Sequence, residues 1–227
     1  MENKVSFKQI LWYFIFFSII GLVIETIFCL ITTGVLESRK GLIWGPFCPV
    51  YGVGAAVLIL ILNKYENNSL KIFLIGSIFG NIIEYLLSFG LEALYGSRFW
   101  DYSYLKWHLN GRICVLYSFY WGALAFILIK WIKNPMDKMI NKISNSKILH
   151  ISIVIFFIVD SLATVWAITT YQNRIGSQYY NIENNAKENF ITKTLFSNEI
   201  MVKTFPNLRY IEADGTEKYI RDIINSN

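Results

Sequence analysis

The stretch FKQILWYFIFFSIIGLVIETIFCLI, Phe7–Ile31, decides the class of this protein. It exceeds the roughly 20 apolar residues that a helix needs to cross a bilayer. Past Lys8 its only charged residue is Glu25. Lys4 and Lys8 precede it as in a signal peptide. The apolar run is too long for one, however, and no small-x-small cleavage pattern follows.

Four further stretches have the same character: Leu42–Leu62, Leu70–Tyr95, Ile113–Ile132 and Ile148–Tyr171. The whole chain agrees with them. Across 227 residues, 54% are hydrophobic and 16% charged, against about 25% charged in a soluble domain. With 4 Pro and 3 Cys, collagen-like and disulfide-stapled secreted classes are excluded. The expected fold is all-α: a polytopic membrane bundle of about five transmembrane helices over residues 1–172, followed by a polar tail, 173–227.

A net charge of +5 reads first as topology in such a chain, and nucleic acid is not an expected partner. Lys4, Lys8, Lys64, Lys71, Lys130, Lys133, Lys138, Lys142 and Lys147 fall on one side. They outnumber Arg39, Lys40, Arg98, Lys106, Arg112, Arg174 and Lys187 on the other. The positive-inside rule then puts the N-terminus in the cytoplasm and the C-terminus outside. The fourth loop carries Met136, Met139, Ile140 and Ile143 at helical spacing after Asn134-Pro135, a helix start. A short amphipathic helix on the cytoplasmic leaflet is expected there. In the tail, Leu208–Ile211 and Glu217–Ile220 flank Asp214-Gly215, a hairpin signal.

Acids inside spans are costly and face protein or water. Glu25 lies about 27 Å along from Phe7, Glu84 about 21 Å from Leu70, and Asp160 about 18 Å from Ile148. Glu84 continues the stripe Gly76, Gly80, Glu84, Ser88, Glu92, so it is expected at a helix contact. The first outer loop holds Arg39, Trp44, two prolines and three glycines. Irregular backbone at that depth needs protein around it, so the loop is expected to fold back and bring Arg39 toward the acids. The second outer loop holds Arg98, Trp100, Asp101, Asn110 and Arg112. These residues, with Glu25, Arg39, Trp44 and Glu84, form the candidate outer site, and Asp160 is a separate intramembrane acid. Two readings stand. The arginines pin loops to helices, or they line an outward-facing pocket.

The sequence has no G-x-x-x-x-G-K-[ST], no H-E-x-x-H and no C-x-x-C. No metal site or cofactor is expected. His108 and His150 are the only histidines. Cys29, Cys48 and Cys114 map near the outer face, as packing thiols or with Cys48 and Cys114 bridged.

The segment Arg39 to Gly52, with Gly41-Leu42-Ile43-Trp44-Gly45-Pro46-Phe47-Cys48-Pro49-Val50-Tyr51, resembles the signature of the bacterial family named Putative ABC-transporter type IV, or CmpB-like. So do Glu84-Tyr85, Trp100-Asp101-Tyr102 and Asn110-Gly111-Arg112-Ile113-Cys114. Ser38 departs from the family's Asn, and the Asn-rich tail lies outside its pattern. The resemblance implies a multi-pass protein of the bacterial cell membrane, a permease whose ATPase is a separate cytoplasmic chain. Three functions fit. One is a permease with an outward-facing polar site for an anionic small molecule or lipid headgroup. Another is an intramembrane enzyme on a lipid headgroup or envelope precursor, with Glu25, Glu84 or Asp101 as acid or base. The third is a membrane scaffold. The absent catalytic motifs weigh against the enzyme.

Overall fold

The computed structural model describes residues 4–95, 98, 100–180, 190–212 and 214–226. Its helices are α1 (Phe7–Thr33), α2 (Pro49–Leu62), α3 (Ser69–Tyr95), α4 (Val115–Ile127), α5 (Lys133–Lys142), α6 (Lys147–Tyr179), α7 (Phe190–Leu195), α8 (Asn198–Thr204) and α9 (Ile220–Asn225). Two short hairpins accompany them: β1 (His108–Leu109) with β2 (Ile113–Cys114), and β3 (Arg209–Ile211) with β4 (Glu217–Tyr219). Among the described residues, four helices are long and apolar enough to cross a membrane: α1, α3, α4 running into α5, and α6. A shorter apolar helix, α2 with one 3₁₀ turn, spans Pro49–Tyr65. The chain is a multi-pass helical membrane protein, as expected.

The second helix starts at Pro49, not at the expected Leu42. Gly45 has φ +66°, and Pro46 and Pro49 follow closely. Proline has no N–H to donate, but at the first helical position none is needed. Residues 41–48 are therefore non-helical, which is the irregular mouth that their glycines and prolines imply.

The expected amphipathic helix forms as α5, and it is continuous with α4. A π-helical turn, Leu128–Ile132, joins α4 to α5 without a break. Pro135 cannot donate to a residue one turn back. The N–H of Lys133 instead reaches the Leu128 carbonyl, five residues earlier. Met136 and Ile140 are buried with Tyr13, Leu62 and Ile129. Two residues of the apolar stripe, Met136 and Ile140, thus pack on protein, while Met139 is exposed.

The chain divides into two compact units, and α1, α3 and α6 each contribute to both. The first comprises residues 1–21, 48–89 and 100–154. Its helices pack through small residues. A Cβ on Gly52 of α2 would lie 2.2 Å from Ser18 Oγ on α1. One on Gly76 of α3 would lie 2.3 Å from Ala125 Cβ on α4, and one on Gly80 would lie 2.4 Å from Trp121 Cγ. Close approach of this kind is how helices gain contact area where lipid offers no hydrophobic drive. A polar cluster ties α1 to α5: Gln9 Nε2 donates to Asp137 (3.0 Å), and Lys133 pairs with the same carboxylate (3.1 Å).

The second unit comprises residues 22–47, 90–99 and 155–227. Here α6 runs on to Tyr179, past the expected exit at Tyr171. Tyr171 and Ile175 are fully buried against Phe196, Met201, Phe205 and Ile220 of the tail. Arg174 donates to the carbonyl of Phe196 (2.8 Å) and to Asn198 Oδ1 (2.8 Å). The expected hairpin forms, with Arg209 opposite Tyr219 and Gly215 at φ +84°. Burial, with the Glu212 carboxylate beside it, pushes the Tyr180 hydroxyl up to about 12. Lys218 and then Tyr180 hold Glu212 below the usual carboxylate range. The Asn-rich stretch and Lys187 lie outside the described residues.

Candidate functional site

The expected site residues divide between the two units. The first unit holds Glu84, Trp100, Asp101, Asn110 and Arg112; the second holds Glu25, Arg39, Trp44, Arg98 and Asp160.

In the first unit the loop between α3 and α4 is built on a tight hairpin. Asn110 (φ +54°) and Gly111 (φ +69°) both occupy the left-handed region, and the N–H of Arg112 returns to the Leu109 carbonyl at 3.0 Å. This is a type I′ turn on an Asn-Gly pair, the sequence that such turns favour. A Cβ on Gly111 would also lie 2.2 Å from Asp101 Oδ1. Asp101 is held in turn by the N–H (3.0 Å) and hydroxyl (2.7 Å) of Ser103. Trp100 Nε1 donates to the Arg112 carbonyl at 3.2 Å. The turn thereby fixes where Arg112 leaves the backbone.

The Arg112 side chain is buried, at 8% exposure. Its guanidinium donates to Ser88 Oγ at 3.1 Å and lies 5.5 Å from the Phe89 ring and 5.8 Å from the Tyr85 ring. Asn110 Nδ2 donates to the Tyr85 hydroxyl at 3.0 Å. A guanidinium is planar and well suited to aromatic faces. One turn earlier on α3, Glu84 is buried and accepts from Trp121 Nε1 (2.8 Å) and the Tyr102 hydroxyl (2.8 Å). Glu84 therefore sits at the α3–α4 contact that its stripe with Gly76 and Gly80 indicates. Tyr85, Ser88 and Phe89 share one face of α3 beside Glu84. Tyr85, Phe89, Tyr102 and Trp121 were not singled out from sequence as partners of the charges. The Asn-Gly pair and the spacing of 85, 88 and 89 were the signals available.

In the second unit the loop between α1 and α2 is anchored by α6. The N–H of Trp44 donates to Asp160 Oδ1 at 3.1 Å, and that of Ile43 to Thr164 Oγ1 at 2.9 Å. Asp160 is completely buried. Leu42 and Ile43 are buried while Trp44 is 44% exposed. An acid and a hydroxyl on α6 thus satisfy loop N–H groups that no helix satisfies, which is what irregular backbone at membrane depth requires. Arg39 turns to α1 and its own loop: it donates to Cys29 Sγ at 2.8 Å and lies 3.8 Å from Glu37, which also pairs with Arg221. Arg98 is 3.0 Å from Glu92 and 3.9 Å from Glu217. Glu25 is half-buried on α1. Among the described residues, Cys29, Cys48 and Cys114 form no disulfide with one another. Among the described residues, no group of three or more His, Cys, Asp or Glu could hold a metal ion.

Comparison with curated proteins and with solved structures gives no match. One family matches, through a model covering residues 12–165, which takes in every site residue above. This chain belongs to the family described as Putative ABC-transporter type IV.

Proposed function

We propose that the chain is the permease subunit of a transport system in the bacterial cell membrane. Its outer loop site would hold an anionic small molecule or a lipid headgroup. One observation carries this reading: the buried Arg112 guanidinium, set by the Asn110-Gly111 turn and flanked by Tyr85 and Phe89. Phosphate and carboxylate groups match the planar donor fork of arginine, and Asn110 and Trp100 add polar and aromatic groups at the same loop. Lysines concentrated on one side of the bundle support a cytoplasmic N-terminus and an external C-terminus, with this loop outside. The family name supports a separate ATPase chain, since the sequence has no P-loop motif.

A scaffold is the second reading. The ion pairs Arg98–Glu92 and Arg221–Glu37 favour it, because they use charges of the second unit to hold its own loops. Calorimetric titration of the purified protein with glycerol phosphate separates the two. Saturable binding lost in Arg112→Gln supports the transport reading. Absence of binding by the unaltered protein, with that of phosphate-free glycerol as the blank, supports the scaffold.

A further inference from the structure

The helix α6 is longer than a membrane is thick. At 1.5 Å per residue its 33 residues extend about 50 Å, against a hydrocarbon core of about 30 Å. The apolar run begins at Ile148 and is used up near Ala167, so about 18 Å of helix projects beyond the core. On the way, Ile155, Ile158, Val159, Leu162 and Trp166 recur at helical spacing, and all are exposed. That stripe faces lipid, and Trp166 closes it at the depth where tryptophan settles in an interface.

At its end Trp166 leads to α7 through a buried ring. The ring of Phe196 meets Trp166 edge-on, with centroids 5.3 Å apart. Phe196 follows directly on α7, and α7 is short and carries large exposed apolar side chains: Phe190 at 82% and Leu195 at 51%. Its basic residue, Lys193, is also exposed, on a stem long enough to reach headgroups. Arg174, buried just beyond the span, donates to the Phe196 carbonyl and approaches that of Thr192 at 3.4 Å. The Phe196 carbonyl lies just past the C-terminal end of α7, where helical partners run out, and the Thr192 carbonyl also accepts from the Phe196 N–H at 3.1 Å. Arg174 therefore holds α7 against the first turns of α6 outside the hydrocarbon.

We infer that α7 is an interfacial anchor, with Phe190 and Leu195 inserted in the leaflet from which α6 emerges. Its occupant is lipid: Trp166, exposed at the end of the α6 stripe, packs on the buried Phe196, and Phe196 directly follows the exposed Leu195 of α7. Burying both side chains in the leaflet removes apolar surface that water would otherwise cover. The tail is thereby tied to the bilayer surface by α7, while the β3–β4 hairpin stays in water. This inference is independent of any ligand at Arg112.

The test uses the full chain in its native membrane. A photoreactive benzoylphenylalanine replaces Phe190, Leu195 or, as the solvated comparison, Lys218, whose side chain is 53% exposed. None of the three positions is in a core, so the substitutions remove no buried contact. After irradiation, adducts are identified by mass spectrometry. The inference predicts lipid adducts at Phe190 and Leu195 and none at Lys218. Adducts to a second copy or another protein at Phe190 and Leu195, or no adducts there, overturn it. Lipid adducts at all three positions also overturn it, because α7 would then not be the anchoring element.

Discussion

Replacing Gly80 by alanine puts a methyl group where the Trp121 ring already is. The new Cβ would lie 2.4 Å from Cγ, 2.5 Å from Cδ2 and 2.6 Å from Cβ of that residue. Trp121 cannot move aside freely, since it is 9% exposed and its Nε1 is held by Glu84 at 2.8 Å. If the helices part, overpacking costs about 1–3 kcal/mol. If the indole swings away, a buried acceptor loses its donor, at about 1–3 kcal/mol. Alanine returns about 0.5–1 kcal/mol through its higher helix propensity. Whichever way the clash is relieved, the balance is a loss of up to about 2.5 kcal/mol. Gly90 on the same helix is the comparison, because no described atom lies within 4 Å of a Cβ placed there. Thermal unfolding in detergent, followed by intrinsic fluorescence, should show Gly80→Ala lowered and Gly90→Ala equal to or above the unaltered protein. If Gly80→Ala melts with Gly90→Ala, α3 and α4 do not pack through that face.

Other expectations are as direct. Glu84→Ala should cost about 1–3 kcal/mol for each donor left without its acceptor, whereas Glu84→Gln, which can still accept, should lose less; the same melts measure both. Asp160→Asn should keep the Trp44 N–H satisfied and leave protease resistance of the loop between α1 and α2 unchanged, while Asp160→Leu should expose that loop to cleavage. In the tail, the raised Tyr180 hydroxyl contributes stability that is present below its ordinary value near 10 and lost as pH rises toward about 12. Glu212 is shifted the other way, so its contribution is present above the unfolded carboxylate range and fades as pH falls through its lowered value. A pH series of melts, with tyrosinate absorbance to follow Tyr180, checks both signs. A cytoplasm-only reporter fused after Asn227 should be silent, and active when inserted between α5 and α6.

Much of the architecture was legible because it is carried by periodicity. The Gly76, Gly80, Glu84 stripe recurs every four residues and indicated a helix contact before any neighbour was known. Asp214-Gly215 marked its hairpin through backbone preference alone. What could not be read depends on distant partners. Gln172, Asn173 and Arg174 look like the end of α6, yet the helix continues because tail residues cover Tyr171 and Ile175 and supply acceptors for Arg174. Pro135 looks like a helix start, yet a π turn before it runs α4 straight into α5. The aromatic setting of Arg112 escaped for a similar reason. Tyr85 and Phe89 read as ordinary span residues until the Asn110-Gly111 turn brings the guanidinium to them.

The central claim is that Arg112 organises a site for an anionic group. Native mass spectrometry of the protein released from its own membrane tests it most directly, by identifying what leaves with it. The account predicts a phosphate- or carboxylate-bearing molecule bound to the unaltered chain, retained weakly by Arg112→Lys and absent from Arg112→Gln, with all three equally folded. A chain that carries no such molecule, or one retained equally by Arg112→Gln, would contradict it.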